Sequence, residues 1–201
     1  ENARMRVGPE SAGANPGPAS YRRGGPLTVT DANILVGRIQ PAHFPKVFGP
    51  DASQPLDTDI VREKFTALAA RVGKSVEETA DGFLDIAVAN MAEAIKKISI
   101  AEGADVSLYA LQCFGGAGAQ LACRVAAALG MRTILIHPFA GILSAFGMGL
   151  AQVQARREQA VEATLTSHLC EDLSKRLRAL EQECRAEVAT QGTFSSVQAS
   201  L

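Results

Sequence analysis

From Leu56 to Glu102 the chain carries no proline, and its apolar residues recur at helical steps. Ile60, Phe65, Leu68 and Val72 mark one face of a first helix, which Gly73 closes as a C′ residue. Ser75-Val76-Glu77-Glu78 has the form of a capping box and restarts a helix. Val76, Ala80, Phe83, Ala87, Met91, Ala94 and Ile98 follow at steps of three or four, and Leu84, Val88 and Ile95 widen that stripe. This long helix is therefore expected to be buried over much of its circumference.

Further on, the period changes. Leu108 to Phe114 is a short apolar run that enters Gly115-Gly116-Ala117-Gly118; a helix is predicted from about Ala119 to Leu129, closed by Gly130. Thr133 to His137 is a second β-rich run, stopped by Pro138. Strand, glycine turn, helix, strand is a βαβ unit, so two parallel strands with a right-handed crossover are predicted around residues 107–137. Val153 to Ala163 is read as an edge strand, and Leu165 to Val188 as a second long helix with Leu169, Leu173, Leu177 and Leu180 on one face. Residues 1–55 hold eight of the nine prolines and seven glycines, which is turn punctuation. Within them Thr30 to Arg38 reads as a short helix capped by Thr30 or Asp31 and weakened by Gly37. The expected organisation is a Gly/Pro-rich loop segment with a short helix over 1–55, a helical subdomain over 56–103, an α/β part over 104–164 and a terminal helix and tail over 165–201.

Composition removes several classes of function. A hydrophobic fraction of 47% with 20% charged residues over 201 residues is that of a folded chain. The net charge of -1 gives no electrostatic reason to bind nucleic acid or an anionic membrane. With no Trp and two Tyr, a stacking platform for single strands is not expected. The most apolar stretch, Thr133 to Leu150, is broken by His137, Pro138, Gly141, Gly147 and Gly149 and does not read as a membrane span. Cys113, Cys123, Cys170 and Cys184 form no C-x-x-C pair, and His43, His137 and His168 lie far apart, so no metal site is expected. Cys113 and Cys123 sit among apolar residues and read as reduced core positions. The first residues lack an apolar leader and an initiator Met; a cytoplasmic segment of something longer is expected.

Phe114-Gly115-Gly116-Ala117-Gly118 carries the most chemical information. Glycines at the carboxyl end of a parallel strand let the backbone approach a ligand, and the following helix presents its N–H groups there. Spacing alone leaves two readings open: a nucleotide site, or a tight turn that binds nothing. The dinucleotide fingerprint is absent, because its third glycine falls on Leu121. Gly73-Lys74-Ser75 mimics the end of a phosphate loop, but the first glycine would fall on Leu68. Tyr21-Arg22-Arg23-Gly24-Gly25 sets two arginines beside a flexible turn, either an anion clamp or a solvated loop. Asp31 reads first as a cap, with a substrate or metal role as the alternative, and His137 as a strand-end residue without a dyad partner. Ser144 lacks the flanking glycines of a nucleophile elbow.

The string Val7-Gly8-Pro9-Glu10-Ser11-Ala12-Gly13-Ala14-Asn15-Pro16-Gly17-Pro18, followed by Tyr21, Gly24-Gly25 and Thr28-Val29-Thr30-Asp31-Ala32-Asn33, resembles the middle of the hydantoinase A family. Asn90 to Ile95, Phe114 to Gly118 and Ala140 to Met148 match in the same order, so the resemblance covers about residues 6–155. The family takes in N-methylhydantoinases, 5-oxoprolinases and acetone carboxylase relatives. The resemblance implies a helix-rich α/β chain that is part of an actin-like, sugar-kinase-like ATPase fold. It implies ATP with magnesium as cofactor, and a cyclic amide or ketone made reactive by phosphorylation. Partners by the same implication are the rest of the parent chain and a B-type hydantoinase subunit. Gly115, Gly116, Ala117 and Gly118 then correspond to the adenosine-side loop, and Tyr21, Arg23, Asp31 and Asn33 to part of the substrate wall.

The chain departs from the family's pattern in places. It reads Ala119-Gln120-Leu121 where Pro-x-His is usual, and it has Ser20 and Arg22 where Cys and Gly are common. The family's Asp-x-Gly-Gly-Thr phosphate loops do not occur in the 201 residues, which leaves magnesium without an obvious carboxylate seat. Two functions are therefore expected as alternatives. One is an internal segment of an ATP-dependent cyclic-amide hydrolase, inactive alone, that supplies the adenosine-side turn. The other is a non-catalytic interaction segment of a hydantoinase or acetone-carboxylase-like subunit.

Overall fold

Helix α3 (Val76–Ala101) is the element against which the others pack; α1 (Val29–Leu35), α2 (Thr58–Val72) and α4 (Ala122–Leu129) all lie on it. The computed structural model describes residues 5–164 and 166–192, and the chain divides after Leu143 into two compact units. The first unit is helix-rich with a small parallel sheet, as the hydrophobic pattern predicts. Strand β1 (Ala110–Cys113) pairs with β2 (Thr133–Ile136) in parallel, Ala110 opposite Thr133 and Cys113 opposite Ile136, with α4 as the crossover.

Local signals fix the helix ends. Asp57 accepts from the Ile60 amide at 3.2 Å and starts α2; Gly73, at φ +73°, ends it. Ser75 and Glu78 form the expected capping box, with the Glu78 carboxylate 2.9 Å from the Ser75 amide. That hydrogen bond, with a second from the Ser75 hydroxyl, holds the Glu78 carboxyl below its ordinary value. Gly130, at φ +72°, ends α4.

The main core joins Ala32 of α1, Val61 and Phe65 of α2, Ala80, Leu84, Ala87, Val88 and Ala92 of α3, and Val125 and Leu129 of α4. The buried stripe on α3 is thus rotated from the expected one. Leu84 and Ala92 lie inside, whereas Met91 and Ile98 are exposed, Ile98 at 67%. Only the side of α3 that meets α1, α2 and α4 is covered. Arg124 of α4 reaches Asp81 at 2.7 Å and also contacts Asp85, clamping α4 across α3. Burial opposes the charge on this guanidinium, yet the two aspartates outweigh it and raise its pKa. A smaller core of Ile34, Ile39, Phe48 and Leu56 lies under the proline-rich loop, with Tyr21 packed against it.

Several boundaries differ from expectation. The strands are shorter because Val106–Leu108 is a 3-10 turn and Phe114 already belongs to the glycine turn. The helix after that turn begins as a 3-10 segment, Gly118–Gln120, and becomes α-helical only at Ala122, after Leu121 has dropped into the main core. The early helix is capped two or three residues sooner, by Thr28 rather than Thr30 or Asp31, and it ends at Leu35.

The second unit contains most of α5 (Leu143–Leu150), a stretch over 151–164 without regular structure, and α6 (Ser167–Thr190). The edge strand expected over Val153 to Ala163 does not form. Among the described residues of this unit no strand is available to pair with it, and the stretch is held to α6 by ion pairs from Arg157 to Glu187 and Glu183. Thr166 caps α6 by accepting from Leu169 at 3.2 Å; Leu165, where the expected helix began, lies outside the described residues. Leu169, Leu173 and Leu180 are half-buried along one face. Among the described residues no helix is long and apolar enough to cross a membrane.

One glycine requirement in the loop is steric. A Cβ on Gly25 would sit 1.9 Å from the Gly17 carbonyl oxygen, whereas one on Gly24 would meet nothing within 4 Å. Gly25→Ala is therefore expected to cost at least about 3 kcal/mol. Gly24→Ala, which bears only the left-handed backbone penalty at φ +74°, should cost about 1–2 kcal/mol. Urea denaturation of the two variants checks the order, and equal losses would reject the steric account.

Candidate functional site

Both strands of the sheet end on the same side, and their following loops are tied together. The Gly115 amide donates to the Ala140 carbonyl at 2.8 Å, joining the glycine turn after β1 to the His137-Pro138-Phe139-Ala140 loop after β2. The carboxyl ends of parallel strands are where open α/β sheets bind ligands. His137 half-buries its ring there, and its Nδ1 accepts from the Phe139 amide at 3.0 Å.

The glycines of the turn have different reasons to be glycine. Gly115 adopts φ +91°. A Cβ on Gly118 would lie 2.9 Å from the Cys113 sulfur, so this residue rests directly on the end of β1. Gly116 is exposed, its φ lies outside the left-handed region, and an added Cβ would meet nothing within 4 Å. Nothing in the chain's own packing calls for glycine at that position. Ala117 is exposed beside it, and among the described residues no acceptor engages the Gly116 or Ala117 amide.

The other expected site residues lie on the loop over 12–26 and on α1, and the structure separates them into two kinds. Tyr21 and Arg23 reach the surface. The Tyr21 ring stacks on Phe48 with centroids 4.6 Å apart, and Arg23 makes long hydrogen bonds to the carbonyls of Gly49 (3.3 Å) and Ala14 (3.4 Å). Arg23 has no carboxylate partner among the described residues, whereas Arg22 is committed to Asp57 at 2.7 Å and to the Pro55 carbonyl at 2.8 Å. The arginine pair of the sequence is thus one structural arginine and one with its charge available.

Asp31 and Asn33 are completely buried. Asp31 Oδ2 accepts from the amides of Ala19 (3.1 Å) and Thr28 (2.8 Å) and from the Thr28 hydroxyl (3.0 Å), while Oδ1 accepts from the Ser20 amide (2.9 Å). Asn33 Nδ2 donates to the Val29 carbonyl (3.1 Å) and to Gln120 Oε1 (3.0 Å). The four expected residues thus fall into two settings. Tyr21 and Arg23 reach the surface, whereas Asp31 and Asn33 are buried, with both Asp31 oxygens and Asn33 Nδ2 engaged and Asn33 Oδ1 without a partner. Sequence reading missed Gln120, whose side chain meets Asn33 and whose carbonyl accepts from Arg38 at 3.4 Å. Its one visible signal was its position directly after the glycine turn.

Among the described residues no group of three or more His, Cys, Asp or Glu side chains could hold a metal ion. Asp31, the one fully buried carboxylate, is saturated by its own loop. The glycine turn offers exposed backbone amides at Gly116 and Ala117, and the described residues do not fit a magnesium seat.

A parallel strand pair ending in a glycine turn, backed by a helical layer and joined to a proline-rich loop, defines a helix-rich α/β chain. Residues 1–157 match the model of the Hydantoinase/oxoprolinase family, and the chain belongs to that family. 5-oxoprolinase 1 of Arabidopsis thaliana is 41% identical over 200 residues, covering 94% of this chain and 16% of its own length. Caprolactamase subunit alpha of Pseudomonas jessenii is 35% identical over 153 residues, 75% of this chain and 21% of that protein. The crystal structure of ATP-dependent caprolactamase from the same organism matches with a TM-score of 0.65 at 28% identity, over 98% of this chain and 28% of the other. Nucleotide-free acetone carboxylase matches with a TM-score of 0.79 at 22% identity, over 96% and 28% respectively, a likeness of fold. The chain thus spans about one sixth of the length of 5-oxoprolinase 1.

The four donors on Asp31 make a direct prediction. In Asp31→Asn, whichever way the amide turns, its NH2 faces at least one backbone N–H, so a loss of about 1–3 kcal/mol is expected. For a chain of this size that is a fall in melting midpoint of about 2–4 °C per kcal/mol, read by calorimetry. An unchanged midpoint would show that the loop does not depend on the carboxylate.

Proposed function

We propose that this chain provides the nucleotide-contacting turn and part of the substrate wall of an ATP-dependent hydrolase acting on cyclic amides, of the hydantoinase and 5-oxoprolinase type. The observation that carries the reading is Gly116: an exposed glycine at the carboxyl end of a parallel strand that the chain's own structure does not require. A glycine there leaves room for a ligand to lie against the backbone. The names of the relatives, 5-oxoprolinase and ATP-dependent caprolactamase, agree with a ring amide as substrate and ATP as co-substrate.

In this reading Gly115 to Gly118 meet the adenosine side of ATP within an actin-like ATPase fold. Tyr21 and Arg23 face the cyclic amide, Tyr21 as a flat apolar edge and Arg23 as a cation for a carboxylate or carbonyl oxygen. Asp31 and Asn33 shape that wall from behind. ATP, when bound, supplies a phosphoryl group that turns the amide oxygen into a better leaving group. Magnesium and the phosphates are held by residues outside those described. Residues 1–55 would form the wall, 56–103 the scaffold, 104–164 the nucleotide side and 165–201 a flanking helix. A second subunit, of the kind implied by the name caprolactamase subunit alpha, would complete the cytoplasmic enzyme.

A second reading, an interaction segment without ligand contacts, is favoured by the exposed apolar residues of the sheet and its loops. Leu108 is 82% exposed, and Phe114, Ile136 and Ile142 are also uncovered. Titration calorimetry of the full-length protein with ATP separates the two. Gly116→Val should weaken ATP binding at least about tenfold, a loss on the order of 1.4 kcal/mol, with the melting midpoint unchanged because the new side chain meets no protein atom. Undiminished binding in that variant would reject the nucleotide role of the turn and leave the interaction reading.

A further inference from the structure

Helix α1 is only seven residues long, yet four consecutive residues, Asp31 to Ile34, are buried. Each goes to a different neighbour. Ala32 enters the main core and Ile34 the smaller one. Asp31 holds the Ala19 and Ser20 amides just before Tyr21, and Asn33 reaches Gln120 at the end of the glycine turn. Residues two apart on a helix point about 200° apart, so Asp31 and Asn33 grip opposite sides of the same rigid turn of backbone. Both flanking side chains are fixed in apolar clusters, and α1 is therefore not free to rotate about its axis without disturbing one core or the other.

Gln120 is held in two further ways. Its backbone amide donates to the Ala117 carbonyl at 3.2 Å, a tie to the glycine turn that does not involve its side chain, and its carbonyl accepts from Arg38 three residues beyond α1. Asn33 is an uncommon choice for the place it occupies. It is wholly buried, and its Oδ1 has no hydrogen-bond partner. A Leu or Met would fill that space without leaving an acceptor unpaired, so packing does not account for the amide. The amide supplies two hydrogen bonds that Leu or Met would lack, one within α1 to the Val29 carbonyl and one that leaves the helix, to Gln120.

Resting on the nucleotide reading above, we infer that Asn33 and Gln120 form a positioning strut. Through it, occupation of the glycine turn by ATP sets the Tyr21 and Arg23 edge and raises its affinity for a cyclic amide. Neither residue touches a ligand. The strut works because one short helix carries both attachments, which gives the two sites a shared rigid element.

The test measures the affinity of the full-length protein for 5-oxoproline, hydantoin and caprolactam by calorimetry, with and without a non-hydrolysable ATP analogue. In the unaltered protein the best of the three should bind at least about fivefold more tightly with the analogue present. In Gln120→Ala, at a half-buried position, that ratio should fall below about twofold while the affinity for the analogue alone changes little. Gln120→Glu keeps an oxygen acceptor for Asn33 and should restore the ratio, which a general loss of packing would not do. A ratio near one in the unaltered protein, no binding of any of the three rings with the analogue present, or an undiminished ratio in Gln120→Ala overturns the strut. Failure of the underlying reading looks different: Gly116→Val would then retain full affinity for the analogue.

Discussion

The carboxylate of Asp31 is the interaction on which the described site depends. It is fully buried and takes hydrogen bonds from two consecutive amides on one side and from an amide and a hydroxyl on the other. Among the described residues no cation pairs with it; the carboxylate is held by N–H and O–H dipoles, which is how a buried anion is tolerated without an ion pair. Because those donors come from Ala19, Ser20 and Thr28, the loop between them is closed on itself and on the start of α1. Tyr21 and Arg23 are presented outward as a result. These two residues sit on a loop, but one tied down by hydrogen bonds to a single buried carboxylate.

A second constraint comes from α3. Three helices share its covered side, so the positions of α1 and α4 are set by one common partner rather than by each other. This places the residue that follows the glycine turn, Leu121, in the same core as Ala32. The proline-rich loop and the glycine turn, nearly a hundred residues apart in sequence, are held in register by apolar packing before any polar contact is counted. The Asn33–Gln120 and Arg38–Gln120 hydrogen bonds then refine a meeting that the core has already arranged.

Features governed by near neighbours in sequence were legible. The Ser75–Glu78 box, the helix ends at Gly73 and Gly130, the parallel strand pair and the glycine turn follow from local backbone chemistry, and all are present. Features governed by distant partners were not. On α3 the stripe showed Ala80, Leu84, Ala87 and Val88 but not the burial of Ala92 or the exposure of Met91 and Ile98, which the positions of α1, α2 and α4 decide. Asp31 and Asn33 look like surface residues by polarity; their burial depends on donors and acceptors 11 to 87 positions away. The stretch over 153–163 mixes polar and apolar residues as an edge strand would, but an edge strand needs a neighbour, and none lies beside it among the described residues of its unit.

The contact between Gly118 and Cys113 has a practical consequence for chemical labelling. Cys113 is buried at the end of β1, with its sulfur under the glycine turn, whereas Cys123 and Cys170 are exposed. A thiol reagent must wait for the turn to lift before it can alkylate Cys113, while the exposed cysteines react without that delay. The relative rate of modification is therefore a clock for the opening of the turn. Its two internal references are already carried by the natural sequence.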